Sequence, residues 1–311
     1  MITKVSTKEM SREDWLAARM GTLGGSDAPP ILGLSPYNSA YALWCEKTGQ
    51  VVKEDISDKE AVRLGNDLEQ YVAERFMEAT GKRVRRENNI LHNDAYPFAH
   101  ANPDRMVVGE TAGLECKTTG SYDRDQQLRS GKIPDDWYVQ MTHYMMVTGA
   151  THWYLGALVF GRGFYWFRIE RDEAEIAALA EAEAEFHRHV TERTPPALDG
   201  SDATTDALKV IHAESSPGVS VDLSCVAASV QAYNSLAKQI KELEKLQAEQ
   251  ENIIKDFMGA AESGTYGSCK ITWKTGKRST FDKAAYERAH GLIPAEFYKT
   301  TETRTFRVTN K

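Results

Sequence analysis

Cysteine is scarce in this 311-residue chain: Cys45, Cys116, Cys225 and Cys269 lie far apart, with no C-x-x-C pair among them. That spacing argues against a zinc site of paired thiolates and against an iron–sulfur cluster, and it supplies no disulfide framework. No stretch approaches the roughly 18 to 20 apolar residues that a membrane helix needs. The opening residues, Met1 to Trp15, lack the apolar centre and cleavage site of a signal peptide. These absences lead us to expect a soluble, cytosolic protein with no membrane partner. There is no Gly-x-x-x-x-Gly-Lys-Ser/Thr loop, so nucleotide hydrolysis of the helicase kind has no support. Gly161-Arg162-Gly163 reads as a hairpin turn and not as a dinucleotide fingerprint, because no helix starts there.

What is present is ordinary globular composition, 41% hydrophobic and 27% charged, long enough for one large domain or two modest ones. The net charge of −7 hides an asymmetry: residues 268–311 carry +6 and residues 1–267 carry −13. An acidic body with a basic tail does not suit indiscriminate nucleic-acid binding, but it permits DNA contact at a local patch or channel.

Periodicity organises the chain into three parts. Ser11 caps a short helix to Met20 that carries Trp15 and Arg19. The turn Gly21-Thr22-Leu23-Gly24-Gly25-Ser26-Asp27 leads into a short helical run ending near Gly33, and a further helix spans Ala40–Thr48. Leu64, Leu68, Tyr71, Val72, Phe76 and Ala79 predict a helix over Ala61–Thr80, stopped by Gly81. Residues 83–119 change to short strands around Val84, Ile90-Leu91, Met106-Val107-Val108 and Leu114–Lys117. A helix over Pro134–Thr148, strands His152–Leu158 and Gly163–Ile169, and a helix over Asp172–Arg193 complete a mixed α/β domain, residues 1–198. Residues 199–221, rich in Ser, Asp, Thr, Gly and Ala, read as a linker or irregular crossing. In residues 222–311, Tyr233, Leu236, Ile240, Leu243, Gln247, Gln250, Ile254 and Phe257 keep heptad a/d register. This predicts a helical arm packed on its own tail or on a partner. Strands at Tyr266–Trp273 and Thr305–Val308 follow.

The chemistry concentrates in Asn102-Pro103-Asp104 and Glu115-Cys116-Lys117. On a strand, Glu115 and Lys117 share one face while Leu114 and Cys116 point into the core. A hairpin folds Asp104 back toward the charged face. Two close carboxylates repel, and a hard divalent cation is the usual way to hold them. A neighbouring lysine can orient or help deprotonate a water and stabilise charge on a phosphate. This kit suits phosphodiester hydrolysis. Separately, a Gly-Gly-Ser turn before a helix exposes backbone N–H groups, and Arg19 adds a fork-shaped cation that matches a phosphate. Ser26 or Asp27 is expected to cap the helix that follows.

These residues resemble the PD-(D/E)xK nuclease superfamily, and within it the lambda-exonuclease-like, YqaJ-type viral recombinase nucleases. Arg19 with Gly24-Gly25-Ser26-Asp27, Ile31–Tyr37, Gly65-Asn66-Asp67-Leu68-Glu69 and Gln140–Tyr144 match in family order across about residues 12–196. Asp67 departs from the small or apolar residue common at its position. The resemblance implies a restriction-endonuclease-like mixed sheet core flanked by helices, with the C-terminal helical arm and small β-containing tail as an extension. It implies that Asp104, Glu115 and the Cys116 backbone carbonyl bind Mg²⁺ (or Mn²⁺), one or two ions per site. Lys117 would position the attacking water. Glu69 would be a metal ligand or sit just outside the ligands, and Gln140 would be an active-site glutamine. Arg19 and Ser26 would grip the 5′-phosphate of the strand being degraded. His143 and Tyr144 are read as packing or hydrogen-bonding residues. The expected activity is 5′-to-3′ digestion of linear double-stranded DNA, leaving 3′ single strands for a single-strand annealing partner in phage or prophage recombination inside a bacterial host. Ring-forming relatives imply a homo-oligomer, a trimer above all. The alternatives are an endonuclease of the same superfamily, or a non-catalytic DNA-binding or assembly protein that acts through the arm and tail.

Overall fold

The structure, a computed structural model, describes residues 1–52, 55–299 and 304–308. It divides into two compact units, residues 1–213 and 214–311.

In the first unit the chain runs β1 (Ile2–Ser6), α1 (Arg12–Met20), α2 (Ala28–Ile31), α3 (Ala40–Lys47) and α4 (Glu60–Thr80). It continues through β2 (Val84–Arg86), β3 (Asn89–Asn93), β4 (His100–Ala101), β5 (Arg105–Val107) and β6 (Ala112–Thr119) to α5 (Tyr122–Arg129) and α6 (Asp135–Thr148). Then come β7 (His152–Val159), β8 (Gly163–Glu170), α7 (Glu173–Thr191) and α8 (Asp202–Ile211). The central sheet has the order β2-β5-β6-β7-β8. Only β6 and β7 are parallel, with Glu115 opposite Leu155 and Lys117 opposite Ala157, and α5 and α6 form the crossover between them. A smaller sheet, β1-β3-β4, stands beside it.

The sheet is covered on both faces, as a mixed α/β layer must be. Val72, Ala73 and Phe76 are buried on α4, and the latter two pack on Leu114 and Tyr154. Gly81 ends that helix in the left-handed region, φ 71°, where a side chain would be strained. On the other face Met141, Tyr144 and Met145 of α6 meet Trp153, Leu155 and Ala157 of β7.

Several expectations need correction. The segment 199–221 is not all linker: α8 docks on α3, with Ser39 Oγ 2.7 Å from Thr204 Oγ1 and Ala207 buried. Its Ser, Thr and Asp content supplies a cap, since Ser201 accepts from the Thr204 N–H. In the second unit the helical arm is present as expected, one continuous helix, α9 (Ala227–Met258). The single strand expected at 266–273 is instead a hairpin, β9 (Ser263–Tyr266) with β10 (Cys269–Thr272), turning at Gly267-Ser268. A short helix, α10 (Lys283–His290), follows. Residues 304–308 have no strand partner among the described residues, so the strand expected at Thr305–Val308 is absent.

Candidate active site

The β5–β6 hairpin builds the centre. Asp104 stands immediately before β5, and its Oδ2 accepts the Cys116 N–H at 2.8 Å. That bond ties the carboxylate to the middle of β6. Alternation along β6 works as expected: Leu114 and Cys116 join the α4-side core, while Glu115 and Lys117 face α6. Glu115 is 2% exposed. Lys117 Nζ lies 2.6 Å from Glu115 Oε1 and donates to Gln140 Oε1 at 2.7 Å. Gln140 Nε2 in turn donates to Tyr144 Oη at 2.9 Å, which fixes which end of the amide faces the lysine.

The electrostatics are those of a site short of positive charge. Burial first, then repulsion from Glu115 and Glu69, pushes the Asp104 carboxyl well above the usual carboxylate range, although the Cys116 N–H and Lys117 pull the other way. Burial opposes charge on Lys117, but Glu115 and Asp104 outweigh it and raise its pKa. Lys117 therefore stays an ammonium here, a donor and not a proton acceptor. An ammonium at this place can orient a water and stabilise charge on a phosphate oxygen.

Glu69 already has a cationic partner. It lies on α4 at the rim of a cleft of about 260 Å³, lined also by Arg86, Asn88, Pro103, Asp104 and Arg105. Its carboxylate is paired with Arg105 Nη1. That arginine also donates to the Asp104 carbonyl at 2.8 Å and to Gln70 Oε1 at 3.1 Å. The arrangement leaves Glu69 near enough to Asp104 to repel its carboxylate. Arg105 went unread in the sequence, although its place directly after Asp104 was the available signal.

The glycine-rich turn comes to the same centre. A Cβ on Gly25 would lie 2.7 Å from the Tyr144 ring and 3.2 Å from Gln140 Cγ. Only glycine lets the turn approach α6, whose Gln140 accepts from Lys117. Ser26 is exposed at the tip of this turn, and Arg19 is half-buried behind it. Neither Ser26 nor Asp27 caps α2 with its side chain. Asp27 turns back to the Gly24 N–H, 2.9 Å, and pairs with Lys47 at 2.7 Å. With four residues, α2 also brings little helix dipole to an anion, so any phosphate grip rests on Arg19 and Ser26 themselves. His143 is buried between Glu183 and the His100 carbonyl, a structural role as expected. Tyr144 buttresses Gln140.

Whether these residues fit a divalent cation turns on one atom. Glu115 Oε2 is buried and accepts no hydrogen bond; a buried carboxylate oxygen in that state needs a cation or a donor. Among the described residues no group of three or more His, Cys, Asp or Glu side chains is placed to hold a metal. The oxygen atoms available to a cation here include those of the two carboxylates, Asp104 and Glu115, and of the main chain of Cys116 between the strand's two charged side chains. Hard oxygen donors of this kind suit Mg²⁺, which keeps several waters.

The profile of the YqaJ-like viral recombinase domain matches residues 14–151. "Uncharacterized protein YqaJ" of Bacillus subtilis (strain 168) is 41% identical over 270 residues, 86% of this chain and 84% of that protein. Among solved structures, the alkaline exonuclease LHK-Exo from Laribacter hongkongensis is 22% identical with a TM-score of 0.50, covering 58% of this chain and 93% of that one. LHK-Exo in complex with dAMP matches equally. The likeness shows a shared fold, a mixed α/β architecture with a five-stranded mixed sheet flanked by helices.

Proposed function

We propose a function from one premise: the chain belongs to the YqaJ-like viral recombinase family. It is a Mg²⁺-dependent exonuclease that degrades one strand of linear double-stranded DNA from its 5′ end. The 3′ single strands it leaves serve a single-strand annealing protein during phage-type recombination in a bacterial cytoplasm. The observation that carries this reading is the buried Asp104–Glu115 pair, with an unpartnered Glu115 oxygen and a lysine held protonated on the same face. The fold shared with LHK-Exo, an alkaline exonuclease, supports it.

Asp104, Glu115 and the Cys116 carbonyl would hold the ion. When bound, a divalent cation supplies positive charge to the phosphate and acidifies a water. The chain's own groups do the rest. Lys117, braced by Gln140 and Glu115, offers its remaining donor to the attacking water. Gln140 keeps that ammonium from rotating away, with Tyr144 behind it. Glu69, anchored by Arg105, adds negative charge at the rim. Arg19 and Ser26 receive the terminal 5′-phosphate. A homo-oligomer, a trimer in the ring-forming arrangement, completes the proposal.

The test is digestion of a linear duplex, with and without a 5′-phosphate, in Mg²⁺ or EDTA, beside a closed circle. Metal-dependent loss of the 5′-phosphorylated strand is expected. Lys117→Ala should slow cleavage about a hundredfold or more while DNA binding persists. Cutting of the circle would make the enzyme an endonuclease, and binding indifferent to Mg²⁺ and Lys117 without cleavage would leave an assembly protein.

A further inference from the structure

Arg19 is held in an unusual way. Its Nε donates to His100 Nε2 at 3.0 Å, and its guanidinium lies 4.1 Å over the Trp15 ring. Among the described residues it forms no ion pair, because the nearby Asp27 carboxylate is taken by Lys47 and the Gly24 N–H. A half-buried guanidinium bonded to an imidazole instead of a carboxylate is short of a negative charge. Its missing partner is an anion.

The bond also fixes the imidazole. An arginine Nε always carries its hydrogen, so His100 Nε2 is the bare, accepting nitrogen. The ring proton is then on Nδ1, which donates to Thr22 Oγ1 at 2.8 Å. His100 is 1% exposed; burial, then the Arg19 charge, lowers its pKa to about 2. The ring stays neutral and accepting wherever the protein is folded near neutral pH.

The backbone makes this a rigid mount. The His100 N–H donates to the Leu23 carbonyl and the Leu23 N–H to the Phe98 carbonyl, both at 2.8 Å. The His100 carbonyl faces His143 Nε2 at 2.9 Å, and Glu183 braces His143 from the other side at 2.7 Å. A Cβ on Gly24 would lie 2.9 Å from His100 Nε2 and 3.2 Å from Arg19 Nη2, so this glycine clears the space the bond occupies. Through β4, His100 stands four residues before Asp104. One short segment thus sets the distance from the arginine to the carboxylates.

We propose that His100 is a positioning residue, which occupies Arg19 Nε and so leaves both Nη groups aimed at the 5′-phosphate of a DNA end. Being neutral, it orients the guanidinium without satisfying its charge, as a carboxylate would. This rests on the reading of Arg19 as the end-binding residue.

The experiment measures equilibrium binding of the full chain, in EDTA, to a duplex ending in a 5′-phosphate and to one ending in a 5′-hydroxyl. NMR of the Arg19 Nε–H signal is recorded alongside. His100→Leu is expected to lower the preference for the phosphate on the order of tenfold and to lose the protected Nε–H signal. His100→Gln, whose carbonyl can accept from Nε, should recover most of both. Thr22→Val, which frees the ring to change tautomer, should lower the preference several-fold in a folded protein even if His100→Leu does not fold. Arg19→Ala combined with His100→Leu should be no worse than Arg19→Ala alone. A His100→Leu protein that keeps the preference Arg19→Ala loses would overturn the inference, as would an unchanged Nε–H signal. A preference that survives Arg19→Ala overturns the end-binding reading instead, and the NMR signal then reports separately whether His100 holds the guanidinium.

Discussion

Asp104 is the residue at which folding and function pull in opposite directions. Buried beside Glu115 and Glu69, its ionised form is repelled, and its carboxyl is pushed well above the ordinary range. The fold accepts that cost through one bond, Cys116 N–H to Oδ2. Asp104→Asn keeps an acceptor for that N–H and removes a negative charge, so in EDTA the variant should be more stable by about 1 kcal/mol. For a unit of this size that is a rise of roughly 2–4 °C in Tm. Mg²⁺ should raise the melting temperature of the natural protein and leave the variant's unmoved. A variant that melts lower in EDTA, or gains equally from Mg²⁺, would show that no cation is needed to hold the pair. Asp104, Glu115 and Lys117 were legible in the sequence because strand alternation and one hairpin suffice to bring them together. Arg105 and His100 were not, because their bonds to Glu69 and Arg19 close over separations of 36 and 81 residues. No local pattern encodes a contact of that reach.

Elements were legible where a period ran long enough. The core-facing stripe of α4 and the aromatic strands β7 and β8 stand within a residue or two of expectation. Two of the missed elements have little to bury: β1 is exposed at all five positions, and α5 buries only Asp125 and Leu128. What holds the element ends together is often polar and equally hidden from periodicity. Glu110, in the β5–β6 turn, accepts from Lys82, which precedes β2. It also meets His152 Nε2 at 2.9 Å and Tyr154 Oη at 3.0 Å on β7. The Lys82 hydrogen bond, helped by those from His152 and Tyr154 and opposed by desolvation, lowers the Glu110 carboxyl to about 2 from an ordinary 4.5. A depressed carboxylate stabilises the fold above its unfolded pKa, and that contribution fades as pH falls from 4.5 toward 2. Urea unfolding followed between pH 6 and pH 3 should therefore show a falling acid limb that Glu110→Gln flattens. An identical limb in both proteins would place the acid sensitivity elsewhere.

At the scale of the whole molecule, the apolar burial is all on one side of residue 213. Every buried residue among those described belongs to residues 1–213, the last being Ala207. The second unit buries none, yet α9 carries Leu236, Ile240, Leu243, Leu246 and Phe257, each more than half exposed. The heptad register of Leu236, Ile240, Leu243 and Phe257 could be read from sequence. Whether that stripe was covered could not, because a stripe records a need for burial and not its partner. The C-terminal end of α9 finds cover within its own unit, where Ile254 and Met258 line a groove of about 420 Å³ with Ile271 and Trp273, and near its start Tyr233 meets the Phe306 ring edge-on at 5.7 Å. A unit without a core does not fold by itself, whereas residues 1–213 contain a sheet covered on both faces and the entire candidate site. A fragment ending at residue 213 should therefore melt cooperatively within a few degrees of the full chain and carry the proposed Mg²⁺-dependent cleavage. Residues 214–311 alone should show no cooperative transition. If the uncovered stripe is what joins copies in the proposed homo-oligomer, sedimentation will give an assembly for the full chain and a monomer for the fragment. A fragment that still assembles would place the subunit contact on the nuclease unit and leave the stripe of α9 for another protein.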